Sequence, residues 1–104
     1  MVAIGEWGEA RLAQELGYAG SKSTTAFRTS LGARFHDRGI FANGYEAKAG
    51  WDVRLSSTIR TQALKDAELL NTGQIKSMTW YFFRGARPET LEFLQQFGIN
   101  YVVF

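Results

Sequence analysis

Cysteine is missing from this sequence, and histidine and proline each occur once, as His36 and Pro88. Without cysteine there is no disulfide framework, no thiol nucleophile, no iron–sulfur cluster and no cysteine-built zinc site. One histidine also excludes multi-histidine metal sites and imidazole relays. No apolar run approaches the roughly 18 residues of a membrane-spanning helix, so no membrane segment is expected. The stretch MVAIGEWGEAR is acidic early and has no hydrophobic centre, so no export signal is expected in it. Strong charge is lacking too: twelve Lys+Arg against ten Asp+Glu leave +2. Most of the basic residues are arginines, which bind phosphate bidentately, so a nucleic-acid partner is compatible with this balance but not demanded by it. The chemistry that remains uses carboxylates, lysine, hydroxyls and a metal held by oxygen. What is present suffices for folding. With 104 residues, 45% hydrophobic and 14% aromatic, a single domain over residues 1–104 with a real core is expected.

Residues 4–16 read as a helix, with Ala10, Leu12, Ala13 and Leu16 on its apolar side and Gly17 as its stop. On it, positions 6, 9, 13 and 16 share a face. Gly17 to Ser30 is small and polar, a loop running into a first strand around Ala26–Leu31. Residues 34–49 read as a β-hairpin: Phe35, Asp37, Gly39 and Phe41 alternate, Asn43-Gly44 supplies the turn, and Tyr45–Ala49 returns. A second helix is expected over Thr58–Asn71, started by the Ser56-Ser57-Thr58 cluster and closed by Gly73. Ile75–Arg84 reads as a central strand, Pro88–Phe97 as a third helix stopped by Gly98, and Ile99–Phe104 as a last apolar strand. The order α, β, β, β, α, β, α, β describes a mixed α/β domain with helices on a sheet.

Asp37 and the triplet Glu46-Ala47-Lys48 carry the chemistry. Residues two apart in a strand share a face, so Glu46 and Lys48 project together while Tyr45 and Ala47 face away. The hairpin brings Asp37 beside Glu46. Two carboxylates at that distance repel unless a cation lies between them, which makes a site for a hard metal ion. An ammonium beside them can orient a water or neutralise a phosphoryl oxygen. Such a patch suits metal-assisted phosphodiester hydrolysis.

Asp37 followed by Glu46-x-Lys48 resembles the signature of the PD-(D/E)XK nucleases, the restriction-endonuclease-like superfamily. Its α-β-β-β-α-β core, a mixed central sheet flanked by helices, matches the order above, with a C-terminal helix and strand added. The family's proline before the aspartate is His36 here. From Gly5 to Val103, the stretches Tyr45–Gly50, Gln62–Leu70, Gly73, Trp80–Phe83 and Gly98-Ile99 resemble a narrower branch. These are the C-terminal toxin domains of bacterial polymorphic and contact-dependent inhibition systems. The resemblance implies a divalent-metal-dependent endonuclease acting on DNA or, alternatively, on transfer RNA. Its cofactor would be Mg²⁺, with Mn²⁺ or Zn²⁺ as alternatives. It also implies delivery into a target cell as part of a larger toxin, and a cognate immunity protein as partner. A non-toxin repair or restriction nuclease is the alternative. Under the resemblance, Asp37, Glu46 and the Ala47 carbonyl hold the metal, and Glu9 completes the site or stands just outside the metal's ligands. Lys48 positions the water, and Gln62 orients the water or Lys48. Arg34, Arg38, Arg60, Lys65 and Arg84 are the candidates for gripping a nucleic-acid backbone.

Other residues have plainer readings. Glu6 is a substitute for Glu9, and Asp66 is expected to pair with a nearby arginine. His36 is expected to be structural, because its strand phase opposes that of Asp37. The aromatic runs Trp80–Phe83 and Tyr101–Phe104 read as buried strand rather than base-stacking platforms. Trp7 and Trp51 stay open, Trp51 either flanking a substrate cleft or anchoring a partner.

Overall fold

A computed structural model describes residues 4–17, 26–40 and 42–104. Residues 18–25 of the expected loop, and position 41 of the expected hairpin, lie outside the described residues. The chain forms α1 (Ile4–Glu15), β1 (Phe27–Thr29), β2 (Gly32–Arg34), β3 (Arg38–Ile40) and β4 (Asn43–Lys48). It continues through α2 (Ser57–Asn71), β5 (Ser77–Phe82), α3 (Pro88–Gln96) and β6 (Asn100–Val103). The main sheet has the order β3-β4-β5-β6, with β1 and β2 as a separate antiparallel pair. β3 runs antiparallel to β4, whereas β4, β5 and β6 are parallel. Parallel neighbours need a crossover, and α2 and α3 supply the two.

The helices begin and end for local reasons. Ser56 accepts a hydrogen bond from the Ile59 N–H at 3.2 Å, capping α2, and Pro88 opens α3 where no N–H is required. Gly17, Gly73 and Gly98 follow the three helices with positive φ. α2 turns Ile59, Ala63 and Leu69 towards Met78, Trp80 and Phe82 of β5, and Leu94 and Ile99 close the same core. α1 lies on the opposite face of β4. A Cβ at Gly8 would stand 3.0 Å from the Ala49 Cβ and 3.5 Å from that of Ala47, so the missing side chain sets how closely helix and strand approach.

Three expectations change. The hairpin expected over residues 34–49 is divided: Gly32–Arg34 pairs back onto Phe27–Thr29, and the strand facing β4 starts at Arg38. That adds a strand to the expected order. Asn43-Gly44 is not the turn, because Ile40 pairs with Asn43 and the reversal precedes it, with Ala42 at φ 67°. Gly44 answers a different need. A Cβ there would meet Met78 Sδ at 2.6 Å and His36 Nδ1 at 3.2 Å, so glycine lets β4 pass between them. Finally, Tyr101–Phe104 is not buried. β6 is an edge strand, and Tyr101, Val102, Val103 and Phe104 are 38–51% exposed. Trp80 and Phe82 are buried, as a central strand requires.

Candidate active site

The β3–β4 register pairs Arg38 with Tyr45, so one residue further out Asp37 faces Glu46. Asp37 Oδ2 accepts the Ala47 N–H at 2.8 Å. In a strand the N–H and C=O of one residue point to the same edge, so the Ala47 carbonyl also faces the Asp37 side, beyond the end of β3. Lys48 points the other way along the ladder, its carbonyl accepting the Phe83 N–H at 3.1 Å. The Asp37 carboxyl is pushed up to about 7, first by burial, then by the negative charge of Glu46 and further by that of Glu9; the Ala47 N–H and Lys48 oppose the rise. Glu9, on α1, is therefore close enough to Asp37 to repel it.

Glu46 and Lys48 face α2. Lys48 Nζ donates to Gln62 Oε1 at 2.6 Å, pairs with Glu46 Oε2 at 3.2 Å and lies 4.9 Å from the centre of the Trp80 ring. Three partners on three elements fix this ammonium. Glu46 is 6% exposed. Its Oε1 lies 3.5 Å from Arg34 Nη2 yet takes part in no hydrogen bond. A buried carboxylate oxygen without a donor is costly, and a cation would satisfy it.

Behind this patch lies a second cluster. Asp66, fully buried, accepts from Arg34 Nε at 3.0 Å, Arg34 Nη2 at 3.2 Å and Trp80 Nε1 at 2.9 Å, with His36 Nε2 at 2.7 Å. Burial works against ionising Asp66, but the His36 bond and the Arg34 charge outweigh it and hold the carboxyl below its ordinary value. For Arg34, burial works against the charge and is exceeded by Glu46 and Asp66, so its guanidinium titrates above the ordinary value. Asp66 thus finds its arginine, and His36 is a buried structural partner. Arg34 ends β2 and His36 lies in the link to β3, so no strand periodicity in the sequence marks this cluster.

The expected nucleic-acid contacts are scattered. Arg34 is a correction: it is 5% exposed and tied to Asp66, Glu46 and the Phe35 carbonyl, so it is no surface grip. Lys65 Nζ donates to the Ala33 carbonyl at 2.9 Å, holding β2 on α2. Arg60 is exposed, with its guanidinium 5.6 Å from the Phe93 ring. Arg38 is half-buried next to Asp37. Arg84 lies between Trp7 and Trp51 at the far ends of the parallel strands, an arrangement that sequence spacing does not reveal.

Asp37, Glu46 and the Ala47 carbonyl fit a hard cation by their oxygen chemistry, and Glu46 Oε1, ion-paired with Arg34 but accepting no hydrogen bond, is the observation that favours one. Among the described residues no three His, Asp or Glu side chains form a ready cage. The fit is therefore to two carboxylates and a main-chain oxygen. Compared with known proteins, the chain matches no family model, no curated protein and no solved structure.

Proposed function

We propose that this domain is a divalent-metal-dependent endonuclease, with DNA as its first substrate and RNA as the alternative. The observation that carries the reading is the ammonium of Lys48, held by Gln62 and Glu46 beside a carboxylate pair that lacks a full complement of donors. Asp37, Glu46 and the Ala47 carbonyl are the residues that would hold the cation, with Glu9 adjusting its surroundings. When bound, Mg²⁺ or a similar ion supplies Lewis acidity and lowers the pKa of a coordinated water. Lys48 then offsets charge building on the phosphoryl oxygens or orients the attacking water, and Gln62 keeps its Nζ aimed. The sequence resemblance extends the proposal to a delivered toxin domain restrained by a cognate immunity protein.

The purified domain, incubated with supercoiled plasmid and separately with transfer RNA, should cleave one of them in Mg²⁺ and neither in EDTA. Lys48→Met and Glu46→Gln should each slow cleavage by about 100-fold or more, the loss expected when one preorganised electrostatic group is removed. Wild-type rates in Glu46→Gln would sink the site assignment. Failure to cut either substrate in Mg²⁺, Mn²⁺ or Zn²⁺ would sink the enzyme reading.

A further inference from the structure

The loops that follow β4 and β5 hold an assembly that the carboxylate–lysine site does not use. Trp51, three residues after Lys48, is 76% exposed. The Arg84 guanidinium lies 4.9 Å from the centre of the Trp51 ring and 4.6 Å from that of Trp7, between the two indoles. Trp7 meets Phe83 edge-on at 5.9 Å. Among the described residues the Arg84 guanidinium makes these ring contacts and no ion pair, so no carboxylate neutralises it.

The exposed indole stands on fixed backbone. Asp52 has φ 45°, in the left-handed region that a non-glycine residue seldom occupies. Its N–H donates to the Arg84 carbonyl at 3.1 Å, and the Val53 N–H donates to Gly85 at 3.2 Å. The Arg87 N–H returns to Val53 at 3.0 Å, and Arg87 Nε pairs with Asp52 Oδ2 at 3.0 Å. Residues 51–53 are thereby strapped to residues 84–87. A strained, doubly tied turn that presents a tryptophan to water is a preformed contact surface.

An exposed indole with one face open and an unneutralised guanidinium over the other complements a ligand that joins a flat ring to an anion. We infer that Trp51 and Arg84 form a stacking subsite for an unpaired nucleotide, the base on the open face of Trp51 and its phosphate on Arg84. This rests on the nuclease reading and narrows it to substrates with single-stranded or looped segments. Within a duplex both faces of each base are covered by its neighbours, so Trp51 has nothing to stack on. Three residues of chain put Trp51 within about 11 Å of Lys48, so one strand can engage both.

The test is binding, read without catalysis. Anisotropy of a fluorescein-labelled single strand, as DNA and as RNA, and of the matching blunt duplex would be measured in EDTA. The proteins are wild type, Trp51→Ala, Trp51→Phe and Arg84→Ala. Trp51→Ala should weaken single-strand binding about tenfold or more, Trp51→Phe should recover most of the loss, and duplex binding should not move. Arg84→Ala should weaken single-strand binding and flatten its salt dependence by about 0.7 in the log–log slope. Unchanged single-strand binding in Trp51→Ala overturns the inference and leaves Trp51 to a protein partner. Equal loss for single strand and duplex overturns stacking, and so does a wild type that binds no single strand. Cleavage in Mg²⁺ is scored separately. Trp51-dependent binding without cleavage keeps the subsite and refutes the nuclease. Cleavage with Trp51-independent binding does the reverse.

Discussion

Asp37 is where the energetics of single residues are most exposed. Its carboxyl is raised from 3.8 to about 7 by burial and by Glu46 and Glu9. Between those values the unfolded chain has released a proton that the native protein keeps. The native state therefore binds more protons, and its stability must fall as pH rises through that window. In EDTA, Asp37→Asn keeps an acceptor for the Ala47 N–H but removes the titration. The variant should match wild type near pH 4 and exceed it by about 1–2 kcal/mol at pH 8, after allowance for solvent screening of a group partly open to water. Urea unfolding across that range measures the difference. A gap independent of pH would remove Asp37 from the repulsive carboxylate set. Asp66 behaves oppositely. It is more deeply buried than Asp37, but it is compensated by Arg34, His36 and Trp80, so its charge is retained. Two aspartates of one sequence are thus separated by their partners.

At the scale of elements, the approach of α1 to β4 decides whether Glu9 reaches Asp37. Gly8 makes that approach, with Ala49 and Ala47 across from it. Gly8→Ala sets a 3.0 Å contact against a gain in helix propensity of up to about 1 kcal/mol, so its net effect should be small. Gly8→Val has no such offset. It should cost about 1–3 kcal/mol by overpacking and, by lifting α1, should also reduce cleavage. Denaturant unfolding beside a plasmid-nicking assay reads both effects, and a Gly8→Val protein as stable as wild type would refute the close packing. Much of this architecture was legible beforehand. Helix ends were marked by Ser56, Pro88 and three glycines, and the strands β4 and β5 by their residue types. Strand alternation, a local rule, put Glu46 and Lys48 on one face, whereas Gln62 was brought to them by the family resemblance alone. What escaped depended on neighbours distant in sequence. Gly44 looked like a turn residue because Met78 and His36, which exclude a side chain there, cannot be seen from its surroundings. Tyr101–Phe104 read as core because strand order, which makes β6 an edge, is not encoded in the strand itself. Arg34 looked available for nucleic acid until Asp66 was found across from it.

For the whole molecule, a net charge of +2 conceals a division of labour. Asp37, Glu46 and Glu9 lie near enough for their negative charges to repel, only partly offset by Arg34 and Lys48, an arrangement that would hinder an approaching anion unless a cation intervened. Binding a divalent ion would relieve the repulsion that raises Asp37, so the ion should stabilise the native state over the unfolded chain. At a concentration 100 times its dissociation constant, that linkage amounts to about 2.7 kcal/mol. For a domain of this size, each kcal/mol moves the melting temperature by about 4–8 °C. Saturating Mg²⁺ or Mn²⁺ at pH 8 should therefore raise the melting temperature by roughly 10 °C or more relative to EDTA. The rise should shrink at pH 5, where protons compete for Asp37, and should be lost in Glu46→Gln. Salt at matched ionic strength controls for screening. Identical melting curves in EDTA and in both metals at pH 8 would mean that the carboxylates are arranged for something other than a cation, and the hydrolytic chemistry built on them would fall with it.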